Sequence, residues 1–101
     1  MQWNGKTVLI TGGTGSFGQA FTRYLLKKRR PPKIRIFSRD EFKQYQLQQE
    51  LRKYRQYLRF LLGDVRDKNR LSRALQGVDI VIHASALKQV ELGEYNPIEP
   101  I

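Results

Sequence analysis

The chain has no cysteine. That excludes disulfide staples and thiolate metal sites. It has one histidine, His83, and no second metal ligand is visible beside it, so a core or strand-end histidine is the favoured reading over a ligand. Long apolar runs are missing too. The longest, around Val8-Leu9-Ile10 and Ile80-Val81-Ile82, are strand-sized and too short to span a bilayer. Nothing resembles a signal peptide, and there is no internal repeat or low-complexity segment. The expectation is a cytoplasmic protein without a membrane partner. Its 101 residues suffice for one small domain whose core has little margin.

Acids are scarce: nine Asp and Glu face nineteen Lys and Arg, for a net charge of +10. The excess is local. Residues 23 to 59 hold 13 basic residues against 3 acids, while the rest of the chain balances. Lys27-Lys28-Arg29-Arg30 belongs to that segment. One reading is an electrostatic footprint for nucleic acid or an acidic ligand. The favoured one is a solvated helix end, where cations complement the negative pole, with no nucleic-acid partner.

The hydrophobic pattern alternates between strand and helix periods. Thr7 to Thr11 reads as a buried strand ending in glycines. Ser16 is placed to cap the next helix, whose apolar face carries Phe17, Phe21, Tyr24, Leu25 and Lys28 and which Pro31-Pro32 stops. Ile34 to Phe37 is a second strand. Asp40 to about Tyr57 is a second helix striped by Leu47, Leu51, Tyr54 and Leu58. Arg59 to Leu62 is a third strand. Lys68 to Gln76 is a short helix closed by Gly77, and Asp79 to His83 is a fourth strand. This β-α-β-α-β-α-β order predicts a parallel, doubly wound α/β sheet with helices on both faces. A fourth crossover helix should be starting near Ile101, so the unit reads as truncated.

Gly12-x-x-Gly15-x-x-Gly18 joins the first strand to the first helix. Gly12 makes the tight turn, Gly15 lets a pyrophosphate approach the backbone, and Gly18 lets the helix pack closely. The pyrophosphate then sits on the unpaired amides of the helix start. The strand-turn-helix context this motif needs is present, so the fold is a Rossmann dinucleotide domain.

Ser38-Arg39-Asp40 ends the second strand, with Arg39 21 residues after Gly18. An acid at this point binds ribose hydroxyls in NAD enzymes, whereas an Arg accommodates the 2′-phosphate of NADP. Ser38 can donate a hydroxyl, and Lys43 lies a helical turn further on. Charge-assisted hydrogen bonds of roughly 1.5 to 3 kcal/mol give an NADP preference of about ten- to a hundredfold. The alternative is an exposed Arg beside Asp40 acting only as a helix cap. Asp64-Val65 follows the third strand, where the acid can accept from the adenine amino group and Val65 can cover the ring. The alternative is again an N-cap, since Asp64 and Asp67 both precede a helix. His83-Ala84-Ser85-Ala86 leaves space beside the cofactor. Lys88 stands at the crevice mouth, either pairing with a diphosphate or solvated.

Six ordered motifs now point to one family. They are Thr11-Gly-Gly-Thr-Gly-Ser-Phe-Gly18, Ser38-Arg-Asp-Glu-Phe-Lys43, Gly63-Asp-Val-Arg-Asp67, Val78-Asp-Ile-Val-Ile-His83, Ala86-Leu-Lys-Gln-Val90 and Glu94-Tyr-Asn-Pro97. The chain resembles the inverting UDP-N-acetylglucosamine 4,6-dehydratases, extended short-chain dehydrogenases of capsular polysaccharide biosynthesis. The resemblance implies NADP binding by Thr14, Gly15, Ser16, Phe17 and Gly18, by Ser38, Arg39, Asp40 and Lys43, by Asp64 and Val65, and by Ala84. It implies that Lys88 touches both the cofactor and the UDP-N-acetylglucosamine substrate, and that the full-length enzyme is a homo-oligomer. The sequence departs from the family pattern at Ser85, where Ala is usual, and at Glu91, where Pro is usual.

The implied reaction moves hydride from sugar C4 to NADP, eliminates water across C5 and C6, and returns hydride to C6. Its Tyr-x-x-x-Lys pair and acid/base residues lie beyond the fifth strand in this family. No catalytic residue is therefore expected within 1–101, and these residues alone are expected to be inactive. Tyr24-x-x-x-Lys28 has the catalytic spacing but falls on the first helix, where Tyr24 reads as core packing. Two other functions stay open: a nucleotide-sugar epimerase or reductase of the same superfamily, and a non-catalytic basic fragment that binds nucleic acid.

Overall fold

Alternating apolar runs become four strands: β1 (Thr7–Thr11), β2 (Lys33–Ser38), β3 (Leu58–Leu62) and β4 (Ile80–His83). A computed structural model describes residues 2–84. In it the strands pair in parallel in the order β3-β2-β1-β4. Helices α1 (Ser16–Leu26), α2 (Glu41–Glu50) and α3 (Lys68–Leu75) connect them, and a 3-10 helix (Arg52–Tyr57) follows α2. β1 lies between β2 and β4, with Val8 beside Ile34 on one side and Ile80 on the other. Its Val8, Leu9 and Ile10 are fully buried, and each such side chain contributes about 1.5–3 kcal/mol.

Because successive strand residues point to opposite faces, the core splits into two layers. Val8, Ile10, Ile34 and Ile36 meet Leu25 and Leu26 of α1 and Leu47 of α2. Leu9 and Phe37 meet Ala74 of α3 on the other face. The sheet is thus wound on both sides, as the alternation of periods predicts. The chain runs outward from β1 to β3, then crosses back to β4 on the far side of β1. That reversal opens a crevice at the carboxyl ends of the strands. Asp79 locks β4 to β1 at the opposite end. Its amide donates to the Thr7 carbonyl and its carboxylate accepts from the Thr7 amide, both at 2.8 Å.

Three local expectations are corrected. The buried face of α1 is Gly18, Thr22, Leu25 and Leu26, not the aromatic stripe. Gly18 lies against the turn before the helix, where an added Cβ would fall 2.6 Å from the Cα of Gly13 and 2.8 Å from the Gly12 carbonyl oxygen. No aromatic residue fits so close an approach, and Thr22 is buried with its hydroxyl donating to the Gly18 carbonyl at 2.8 Å. Phe17 and Tyr24 are exposed and stack on either side of Phe21. Tyr24 is therefore not core packing.

The second helix also ends earlier than its stripe predicts. It stops at Glu50, and Leu51 is its buried C-terminal cap. In the 3-10 segment side chains eclipse every three residues, which turns Tyr54 and Tyr57 toward the core beside Leu51. Finally, Ser16 does not cap α1. The N-cap is Gly15, which has no side chain to offer, and Ser16 is the first helical residue.

The rotation of α1 is testable. Gly18→Ala forces backbone against backbone, and overpacking of this kind costs about 1–3 kcal/mol. A lowered Tm is expected by circular dichroism; an unchanged Tm would show that the contact is slack.

Candidate functional site

Three loops meet at the carboxyl ends of β1, β2 and β3 and enclose a crevice of about 460 Å³. The β1–α1 turn brings Gly12, Thr14 and Gly15. The end of β2 and the start of α2 bring Ser38, Arg39, Asp40 and Lys43, and the loop after β3 brings Asp64 and Val65. Nine of the fourteen residues singled out from sequence thus share one cleft. Among the others, Ser16 and Phe17 are exposed on α1, and Gly18 is buried beneath the turn. Ala84 is packed in the core on the α1 face. Lys88 lies outside the described residues.

The turn has its shape for stated reasons. Gly12 has a φ of 67°, which favours glycine, and its carbonyl accepts from the Gly15 amide at 3.1 Å. Gly13 is a steric requirement that the sequence motif does not reveal. A Cβ there would meet Ile36 Cγ2 at 2.6 Å. Gly15 is extended, with φ −77° and ψ 175°, a conformation open to any residue, so nothing in its own backbone demands glycine. The first turn of α1 has neither a side-chain cap nor an acid. Its amides and the positive pole of the helix, next to the crevice turn, therefore have no anion of their own first turn against them.

At β2 the hydrogen bonds sort the polar groups by task. Asp40 is the N-cap of α2, accepting from the Lys43 amide at 2.9 Å. Ser38 is buried at the crevice wall, and its Oγ accepts from Gln44 Nε2 at 2.9 Å. The same amide nitrogen donates to the Leu61 carbonyl at 2.9 Å. Gln44 is thus a buried tether between the ends of β2 and β3, a role hidden in a helix whose pattern is otherwise polar.

Asp64 does not cap α3. Asp67 does, accepting from the Arg70 amide. The Asp64 carboxylate is held instead by Arg66, whose Nη2 donates at 2.7 Å and whose amide donates at 2.9 Å, and Arg39 Nη1 approaches at 3.5 Å. The hydrogen bonds from the Arg66 side chain, then that from its amide, hold the Asp64 carboxyl well below the usual carboxylate range. Arg66, also in the crevice wall, was missed by sequence reasoning; its only signal was its place two residues after Asp64.

At the end of β4, His83 Nδ1 lies 3.1 Å from the Thr11 hydroxyl. Tyr24 and Lys28 do pair, with the ammonium 2.9 Å from the phenol oxygen. They do so outside the crevice, near the far end of α1.

The family model described as "Polysaccharide biosynthesis protein" matches residues 8–101. The chain belongs to this polysaccharide biosynthesis family. An inverting UDP-N-acetylglucosamine 4,6-dehydratase of Campylobacter jejuni is 52% identical over 99 residues, 98% of this chain and 29% of that protein. A UDP-glucose 4-epimerase of Rickettsia bellii is 48% identical over 99 residues, 95% of this chain and 28% of that protein. The X-ray structure of Pen from Bacillus thuringiensis superposes with a TM-score of 0.80 at 40% identity, covering 98% of this chain and 31% of that one. The chain thus spans under a third of the length of each of these proteins. No helix among the described residues is long and apolar enough to cross a membrane.

Burial pushes the His83 imidazole below its ordinary pKa of 6.5. The folded state therefore resists protonation that the unfolded chain accepts. Stability linked to His83 is complete above about pH 6.5 and is lost as pH falls through the lowered value. His83→Gln is expected to flatten the decline in Tm between about pH 7.5 and about pH 5; identical declines in both proteins would clear His83 of that role.

Proposed function

We propose that the crevice holds the adenosine side of a nicotinamide dinucleotide, and that the cofactor is NADP. The observation carrying this reading is the convergence of the Gly12–Gly15 turn, which precedes an uncapped α1, with Arg39 and Lys43 in one cleft. The α1 amides and the Thr14–Gly15 backbone would take the pyrophosphate. Arg39, Lys43 and the Ser38 hydroxyl would take the 2′-phosphate. The carboxylate that could otherwise favour a free ribose diol, Asp40, is committed through one oxygen to the α2 amide. Asp64 then acts chiefly by holding Arg39 and Arg66 in the wall, and exposed Val65 offers apolar cover for the adenine. Bound there, the nicotinamide supplies a hydride acceptor and donor; these residues bind and orient it.

On this reading residues 1–101 are the cofactor-holding portion of a sugar-nucleotide 4,6-dehydratase acting on UDP-N-acetylglucosamine in polysaccharide biosynthesis. The catalytic Tyr-Lys pair and the sugar-binding part then belong to the stretch of the relatives that this chain does not match. The C. jejuni likeness supports the dehydratase. An epimerase of UDP-sugars is a second reading, supported by the R. bellii likeness. A nicotinamide dinucleotide in the crevice suits either reading.

Arg39→Ala is expected to weaken NADP by about ten- to a hundredfold, the worth of a charge-assisted contact, and NAD far less. Isothermal titration calorimetry with both nucleotides checks this; equal losses would sink the NADP assignment.

A further inference from the structure

A second cleft of about 430 Å³ lies on the α3 face. Four arginines line it: Arg35 and Arg59, register partners on β2 and β3, and Arg70 and Arg73, three residues apart on α3. Its apolar floor includes Phe37 and Leu61, and no Asp or Glu among the described residues lines it. Like charges set side by side on paired strands repel. Arg35 is stabilised by the negative end of α3, donating from Nη1 to the carbonyls of Ala74 at 2.7 Å and Gln76 at 2.6 Å. The guanidinium groups of Arg59, Arg70 and Arg73 have no ion-pair partner among the described residues.

We propose that this cleft binds a ligand carrying two or more linked phosphates. A guanidinium presents a rigid fork of donors that matches phosphate oxygens two at a time. Three such forks around one cavity, with no competing carboxylate among the described residues, suit a chain of phosphates rather than a single carboxylate. Among the described residues Phe37 alone is shared with the wall of the first crevice, so the two sites are distinct. The shared chemistry has two sources, a nucleoside diphosphate or triphosphate whose base lies on the apolar floor, and an inorganic condensed phosphate.

Calorimetric titration of the purified protein with inorganic tripolyphosphate tests the assignment. Saturable binding is expected, with a one-to-one site retained in Gly15→Val, whose obstruction lies in the first crevice. In that background the exposed-residue variants Arg59→Gln/Arg73→Gln and Arg70→Gln should each weaken binding by about tenfold or more. A charge-matched control, Lys27→Gln/Arg29→Gln, added to the same background should bind as Gly15→Val does. Absence of saturable binding in Gly15→Val, or an equal loss in the charge-matched control, would each overturn the proposal. ADP and pyrophosphate, titrated into Gly15→Val, separate the sources. Tighter ADP binding supports a nucleotide site, and equal affinities support a condensed-phosphate site.

Discussion

The close approach of α1 to the turn that precedes it governs the rest of this structure. Gly18 rests on the backbone of Gly12 and Gly13, and Gly13 in turn fits against Ile36 of β2. Two missing side chains thus let a helix start directly over the end of the central strand. That placement rotates α1 so that Thr22, Leu25 and Leu26 meet the sheet and the aromatic residues do not. It also aims the uncapped first turn of α1 at the mouth of the sheet, where strand order reverses. Packing and an uncapped positive helix pole beside the crevice follow from one steric fact.

Electrostatics then divides the crevice into fixed and free charge. Asp40 and Asp64 are the acids in its wall, and both have local work. One caps α2, the other is bound by Arg66. Among the described residues Arg39 and Lys43 are left as cations without a carboxylate at ideal distance, Arg39 lying 3.5 Å from Asp64 on a largely exposed side chain. A group with two or more negative charges fits that imbalance better than a neutral diol does. The binding reading therefore rests on which acids are already engaged, and that is visible only in three dimensions.

Much of this was legible in the sequence, and the misses share a cause. Strand periodicity, the glycine spacing and the residues at the strand ends depend on local pattern, and they placed Gly12, Gly15, Ser38, Arg39 and Asp64 in one fold. The outward turn of Phe17 and Tyr24 was not legible, because hydrophobicity marks a stripe without saying whether a ring fits against a glycine contact. The break at Leu51 was hidden because Leu51 and Tyr54 satisfy both a 3.6- and a 3-residue period. Gln44 and Arg66 escaped because their partners, the Leu61 carbonyl and the Asp64 carboxylate, are set by how the loops meet. Separation of dehydratase from epimerase was not legible either, since relatives of both names match this stretch at 52% and 48% identity.

The central claim is that α1's first turn and the β2 end clasp one dinucleotide. Amide NMR spectra recorded during titration with NADP test it most directly. The account predicts saturable shifts at Gly12, Gly15, Ser16, Phe17 and Arg39. Shifts confined to the Arg59 and Arg73 region, with the Gly12–Phe17 amides unmoved, would contradict it.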